Sequence, residues 1–242
     1  MSNEDTVIRV RDMVKKFGNF IANDHLSFDV YRGEILGFLG ANGAGKTTAL
    51  RILCGLSLPT SGEINVAGYN VYSDRDMIKR RIGYMSQKFS LYEDLKVYEN
   101  IRLYAGIYGL SRKQIKQRTD ELLETLELDS VRNKQIAELP LGWRQKLAFS
   151  VAIIHKPSIV FLDEPTGGVD PITRRQFWDM IYQASRDGIT VFVTTHYMDE
   201  AEYCDRVSIM EAGKIEAIGT PAELMENYEA RNMDEVFIKI AR

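Results

Sequence analysis

The chain has 242 residues, 45% hydrophobic and 27% charged, a globular balance that excludes disorder as the default and suits one large domain or two lobes. Its net charge of −3 sets 31 basic against 34 acidic side chains, so no overall field favours nucleic acid or an anionic membrane surface, and no nucleic-acid partner is expected. Cys54 and Cys204 lie far apart without Cys-x-x-Cys or Cys/His spacing, which argues against a disulfide framework or structural zinc; both are expected in the core.

Along the chain, "MSNEDTVIRVRD" places acids where a signal peptide needs bases followed by an apolar run. No later run approaches the roughly 18–20 apolar residues that span a bilayer, so the expectation is a soluble chain whose membrane role requires a partner. "VIRVRDMVKKF" reads as a strand and turn. Strands follow in "LSFDVYRGEILGFLG", "GEINVAG", "RRIGYMSQ", "SIVFLDEP" and "ITVFVTTH", and "RVSIMEAGKIEAIG" reads as a hairpin. Between residues 92 and 156 the texture turns helical: Ile115, Leu122, Leu123 and Leu126 recur at helical spacing behind a capping box of Ser111 and Gln114. Another helix is expected after Thr220, with Pro221 in its first position and Glu223 completing the box. No repeat, low-complexity segment or linker breaks the chain. This is an α/β frame with a helical insertion.

The most specific chemistry is "GFLGANGAGKTTALRIL", where Gly40, Gly45, Lys46 and Thr47 satisfy Gly-x4-Gly-Lys-Thr between an apolar strand and a helix. Glycines let backbone N–H groups crowd a phosphate chain, and the helix N-terminus adds partial positive charge. Lys46 is expected to reach the β- and γ-phosphates and Thr47 to ligate Mg2+, which keeps several waters and takes few protein ligands. Asn42, Gly43 and Thr48 complete the nucleotide-binding run.

"SIVFLDEPTGGVD" delivers Asp163 and Glu164 at the end of an apolar strand, where ligands gather on parallel sheets. Asp163 is expected to hold the magnesium through water. Glu164, on the opposite side of the pleat, is expected to polarise the attacking water. His196 ends the next apolar strand on the same rim; it reads as a γ-phosphate contact, with a surface or packing role as the alternative.

Taken in order, "GANGAGKTT", "YMSQ", "LPLGWRQ", "IVFLDEP", "GGVD" and "TTH" resemble the ATP-binding subunit of ABC transporters, and the single-domain ATPases of export systems for multidrug, sodium or polysaccharide cargo in particular. The resemblance implies a P-loop NTPase with a RecA-like core, an antiparallel β subdomain and an inserted α-helical subdomain. On that pattern residues 1–91 and 157–220 form the catalytic core with its β subdomain, 92–156 the helical subdomain and 221–242 a short tail. It further implies ATP and Mg2+ as cofactors, an integral-membrane permease as partner, a homodimer or heterodimer of ATPase subunits, and a cytoplasmic position at the inner face of the membrane. Gln87 takes the place of a residue that senses both Mg2+ and the permease. Phe17 takes that of an aromatic stacked on adenine, or else is a core residue. Asp170 falls at the subunit interface, a role compatible with capping the helix that begins at Pro171. Residues 88–100 resemble the floor of the groove that receives a permease coupling helix, with a solvated loop as the alternative.

The run "LPLGW", Leu139, Pro140, Leu141, Gly142 and Trp143, stands where the family's signature is usually Leu-Ser-Gly-Gly-Gln. Pro140 supplies neither the serine hydroxyl nor a backbone N–H to the γ-phosphate held by the opposite subunit, a loss of about 1.5–3 kcal/mol for a charge-assisted bond. Gly142 still permits close approach, and the helix starting there still presents a positive dipole end. The reading is an altered but working signature, with a non-hydrolytic site as the alternative. Two other functions compete: a soluble ABC-type ATPase acting on ribosomes, DNA ends or cluster assembly, and an unrelated phosphate-loop kinase. The first would carry two ATPase halves, a coiled-coil insertion or metal cysteines, and the second a lid in place of the signature.

Overall fold

A computed structural model of the chain describes residues 5–87 and 91–240. The chain begins with two long antiparallel strands, β1 (Thr6–Phe17) and β2 (Phe20–Tyr31), and then enters β3 (Ile35–Gly40), buried at every position. The phosphate loop leads into α1 (Lys46–Leu53). Next β4 (Ser61–Val66) returns to pair with β1, and β5 (Tyr69–Asn70) pairs with β4 through Ala67 and Gly68, whose φ values of 52° and 83° make the turn. These strands form a four-stranded antiparallel sheet in the order β2-β1-β4-β5.

Helix α2 (Arg75–Arg81) runs into β6 (Ile82–Met85), after which the helical segment supplies α3 (Val97–Ile107), α4 (Arg112–Thr125) and α5 (Leu141–Ala152). Ser111 caps α4 and forms the expected box with Gln114. The chain then alternates strand and helix through β7 (Ile159–Asp163), α6 (Pro171–Arg186) and β8 (Thr190–Thr195). The expected hairpin is β9 (Arg206–Glu211) and β10 (Lys214–Gly219), turning on Ala212 and Gly213 at φ 46° and 85°. Two helices close the chain: α7 (Pro221–Asn227), capped by Thr220 as its sequence predicts, and α8 (Met233–Ile240). Helix α7 is the one expected in the tail; α8 is a second, with Met233 and Val236 buried against the core.

The larger sheet has the order β10-β9-β3-β8-β7-β6, parallel throughout except for β10. Its central strands are continuous apolar runs because both faces are covered. Period-two alternation sorts them: Val160 and Leu162 join the core under the helices, whereas Ile159 and Phe161 join the core under the antiparallel sheet. There the rings of Phe28, Phe38, Phe161 and Phe192 meet with centroids 5.1–6.3 Å apart. Cys54 and Cys204 are free and buried, as expected. Among the described residues no helix is long and apolar enough to cross a membrane.

Candidate active site

Adjacent parallel strands β3, β8, β7 and β6 bring four chain segments to one edge of the sheet: the phosphate loop, His196, the Asp163–Glu164 pair and Gln87. This is the edge where a parallel sheet presents its carboxyl ends to ligands.

The loop after β3 needs glycine at two positions for different reasons. Gly45, at φ 102°, sits where any Cβ would collide with the Ala22 carbonyl. Gly43, at φ 86°, faces open space beside exposed Ala41 and Asn42, where a phosphate can approach the backbone. Asn23, fully buried on β2, donates from Nδ2 to the Gly45 carbonyl at 3.1 Å and supports the loop from beneath. Lys46 is 4% exposed and curls into the loop, its Nζ donating to Gly40 O at 2.8 Å and Ala41 O at 3.1 Å. Burial pushes its pKa down, with the nearby Glu164 carboxylate acting in the opposite direction. Thr47 and Thr48 open α1, half-buried.

Asp163 and Glu164 both turn toward this loop, which corrects the expectation of opposite faces of a pleat. Strand β7 ends at Asp163, and Glu164 leaves it in a left-handed conformation at φ 48°, so alternation no longer governs its side chain. Asp163 Oδ1 accepts from Thr47 at 3.1 Å and from Thr194 at 2.7 Å. Burial raises the Asp163 pKa, against the pull of these two hydroxyls. Glu164 is bracketed: Lys46 Nζ lies 3.4 Å from Oε1, Gln87 Nε2 donates to Oε2 at 2.9 Å, and His196 Nδ1 stands 3.1 Å from Oε2 without hydrogen-bond alignment. A cleft of about 290 Å³ opens here, bordered by Gln87, Leu141, Glu164, Gly168, His196 and Tyr197. Paired Thr47 and Asp163 oxygens, with Gln87 bonded to the adjacent Glu164, suit a magnesium ion that completes its shell with water and phosphate. Among the described residues no group of three or more His, Cys, Asp or Glu could hold a metal alone.

The five residues of the altered signature differ in exposure. Leu139 is buried; Pro140, Leu141 and Trp143 are exposed; Gly142 is intermediate. Helix α5 begins at Leu141, one residue earlier than expected, with Pro140 as its N-cap and no side chain capping the first turn. Gly142 packs within its own chain: a Cβ there would stand 2.5 Å from Thr173 Cγ2. Asp170 caps α6, its Oδ1 accepting from the Ile172 and Thr173 amides at 3.0 Å and its Oδ2 from Thr173 Oγ1 at 2.6 Å. The Thr173 hydroxyl and amide bonds lower its pKa. Phe17 is 56% exposed at the tip of the β1–β2 hairpin, with Lys15 Nζ 4.8 Å from its ring centre, so the core alternative is excluded. Of the expected groove floor, residues 88–90 lie outside the described residues; Tyr92 is exposed, and buried Asn100 binds the Tyr92 amide and the Tyr92 carbonyl.

Sequence reasoning missed Thr194, Asn23 and Arg144. Arg144 holds the carbonyls of Leu139 and Ala137, each at 2.7 Å, and pairs with Glu93 at 3.3 Å, tying the signature to the segment after Gln87. "TTH" carried a signal for Thr194 only through its position at a strand end. A larger cleft, about 1330 Å³, lies at the opposite edge, where Arg32, Arg81, Ser158 and Ile189 precede the parallel strands, and it contains none of the residues above.

Residues 23–167 match the family model described as ABC transporter. The chain is 45% identical over 241 residues to the probable multidrug ABC transporter ATP-binding protein YbhF of Escherichia coli, covering 98% of this chain and 42% of that protein. The chain thus spans less than half the length of that relative. It is 37% identical over 233 residues to the daunorubicin resistance ATP-binding protein of Streptomyces coeruleorubidus, covering 96% and 74%. A solved ATP-binding subunit of an ABC transporter matches with TM-score 0.88 at 28% identity over 98% of this chain and 100% of that one. A dimeric ATP-binding cassette in a post-hydrolysis state with ADP and Pi matches with TM-score 0.79 at 26% identity, covering 88% and 98%. With its P-loop NTPase fold, its family match over more than half its length and these relatives, the chain belongs to the ABC transporter ATP-binding family.

Proposed function

We propose that this chain binds and hydrolyses ATP, and that two ATPase subunits close around two ATP molecules to drive a separate membrane permease in export. The observation that carries the reading is Glu164, a carboxylate at the end of β7 bracketed by Lys46, Gln87 and His196 beside an Asp163–Thr47 pair. The names of two relatives, multidrug and daunorubicin resistance, support export. Permease coupling puts the chain on the cytoplasmic side, with residues 88–100 as the groove floor and 92–156 as the helical subdomain.

Backbone N–H groups of residues 42–48 cradle the phosphates, and Phe17 stacks on the base. Lys46 exchanges its two carbonyl partners for the β- and γ-phosphates. Thr47, Gln87 and Asp163 would hold Mg2+, which neutralises phosphate charge when bound. Glu164 takes the proton of the attacking water, and His196 contacts the γ-phosphate. Leu139 to Trp143 meet the nucleotide of the opposite subunit, with Asp170 at the junction between the two sites. Titration with MgATP tests the first step: Lys46→Ala should lose both ATP binding and turnover, because it removes the loop's only full positive charge. Unchanged affinity would mean that the nucleotide binds elsewhere.

A further inference from the structure

Glu200 is an acid with no solvent exposure, in the short turn Met198–Tyr203 that follows β8, and its carboxylate is engaged away from Lys46, Asp163, Glu164 and His196. Its Oε1 accepts from Thr166 Oγ1 and its Oε2 from Thr195 Oγ1, both at 2.6 Å, and Arg174 Nε stands 3.6 Å from Oε1. Each partner neighbours a working group. Thr195 precedes His196, Thr166 lies two residues past Glu164, and Arg174 sits one turn along α6 from Asp170.

On the histidine arm, Thr195 Oγ1 also accepts the Tyr197 amide at 3.0 Å, so the residues on both sides of His196 are held. On the other arm, the Gly167 amide closes the turn on the Glu164 carbonyl at 3.3 Å, and Gln145 Nε2 from α5 donates to the Gly167 carbonyl at 3.1 Å. Thr166 and Thr195 are each 1% exposed, so neither hydroxyl can exchange Glu200 for water. A buried acid is a costly way to fill space, and an apolar side chain would fill it with less desolvation; what the acid adds is geometry at both oxygens.

We propose that Glu200 is a positioning residue for hydrolysis: its two oxygens fix the His196-bearing strand end against the Glu164-bearing turn. This rests on the assignment of Glu164 and His196 to the reaction. The hydroxyls are clamped at the two ends of one carboxylate, and loss of either arm lets His196 and Glu164 drift from their 3.1 Å approach.

The test compares Glu200→Gln, Thr195→Val, Thr166→Val and Glu164→Gln for turnover against MgATP concentration, ATP affinity and thermal unfolding. The amide nitrogen introduced by Glu200→Gln can only donate, so one hydroxyl must reverse its bond and both arms lose the charge-assisted carboxylate partner, which weakens the clamp at constant volume. Misplacement of reacting groups by even about 1 Å can cost about a hundredfold, so Glu200→Gln should lower kcat about tenfold or more, with KM and ATP affinity within about twofold of wild type. Each valine variant should lower kcat less, and Thr195→Val combined with Glu200→Gln should fall short of the product of the two single effects. Should Glu200→Gln fail to fold, the isosteric valine variants carry the test. Wild-type kcat in both, or kcat, KM and melting temperature falling together, would overturn the proposal. A Glu164→Gln variant that turns over normally would instead remove the base assignment beneath it.

Discussion

Lys46 and Asp163 are charged groups that burial works against. A carboxyl whose folded pKa lies above its unfolded value is favoured in its protonated form, so the nucleotide-free chain loses stability as pH rises from the ordinary carboxylate range through the raised Asp163 pKa. The lowered Lys46 pKa likewise makes its charged form a cost below that pKa. On the proposed function both charges are held for phosphate and cation at the expense of stability, the pattern of a functional site. Asp163→Asn should therefore melt higher than wild type at neutral pH without nucleotide, by a margin that shrinks toward acid, while magnesium no longer strengthens ATP binding. Thermal scans across pH and titrations with and without magnesium check both halves; a lower melting point at neutral pH would contradict the assignment. The identities of these residues were legible because a loop motif and a strand-end acid pair are local patterns. Thr194 and Asn23 were not, because Asp163 and Gly45, which they hold, are 31 and 22 residues away in sequence.

At the scale of elements, local chemistry again decided what could be read. The Ser111 and Thr220 caps and the Ala-Gly hairpin turn depend on residues within a few positions of each other. Helix α8 combines tertiary burial of Met233 and Val236 with a local signal that the pattern reading passed over: Asn232 Oδ1 accepts the Glu235 amide at 2.9 Å. The start of α5 shows the opposite lesson: Gly142 suggested close approach by a ligand, but the Cβ it lacks would meet Thr173 of the same chain. Overpacking of this kind costs typically about 1–3 kcal/mol. Gly142→Ala should lower stability in that range, and Thr173→Ser, which deletes the opposing methyl but keeps the hydroxyl bonded to Asp170, should recover most of it. Urea melts of the single and double variants decide; a double variant no more stable than Gly142→Ala would put the constraint outside this contact. Pro140→Ser gains a helix cap worth about 1 kcal/mol and loses a rigid residue worth about 0.4–1 kcal/mol, so stability should hardly move. Turnover is then the readout, and it should be unchanged or modestly raised by the restored hydroxyl. A severalfold loss would show that the proline itself shapes the site.

Across the whole molecule, His155 joins the helical segment to the sheet. Its ring stacks on Tyr108 with centroids 3.8 Å apart, and Nε2 lies 3.1 Å from the Ile82 carbonyl at the start of β6. Burial pushes its pKa down to about 4, and the Tyr108 hydroxyl up to about 12. A histidine with a depressed folded pKa contributes stability that is present above its unfolded value of 6.5 and lost as pH falls toward 4. The fall from 6.5 to about 4 sets a ceiling of about 3 kcal/mol, reduced to roughly 1–2 kcal/mol by partial exposure. His155→Gln should flatten this acid limb in denaturant melts between those pH values; an unchanged slope would assign it to other groups. The most direct measurement is the mass of Glu164→Gln in solution by light scattering, with and without MgATP. Loss of the base with its binding contacts intact should stop turnover and trap a species of twice the chain mass only when MgATP is present. A variant that binds MgATP yet stays at the mass of one chain would contradict the account.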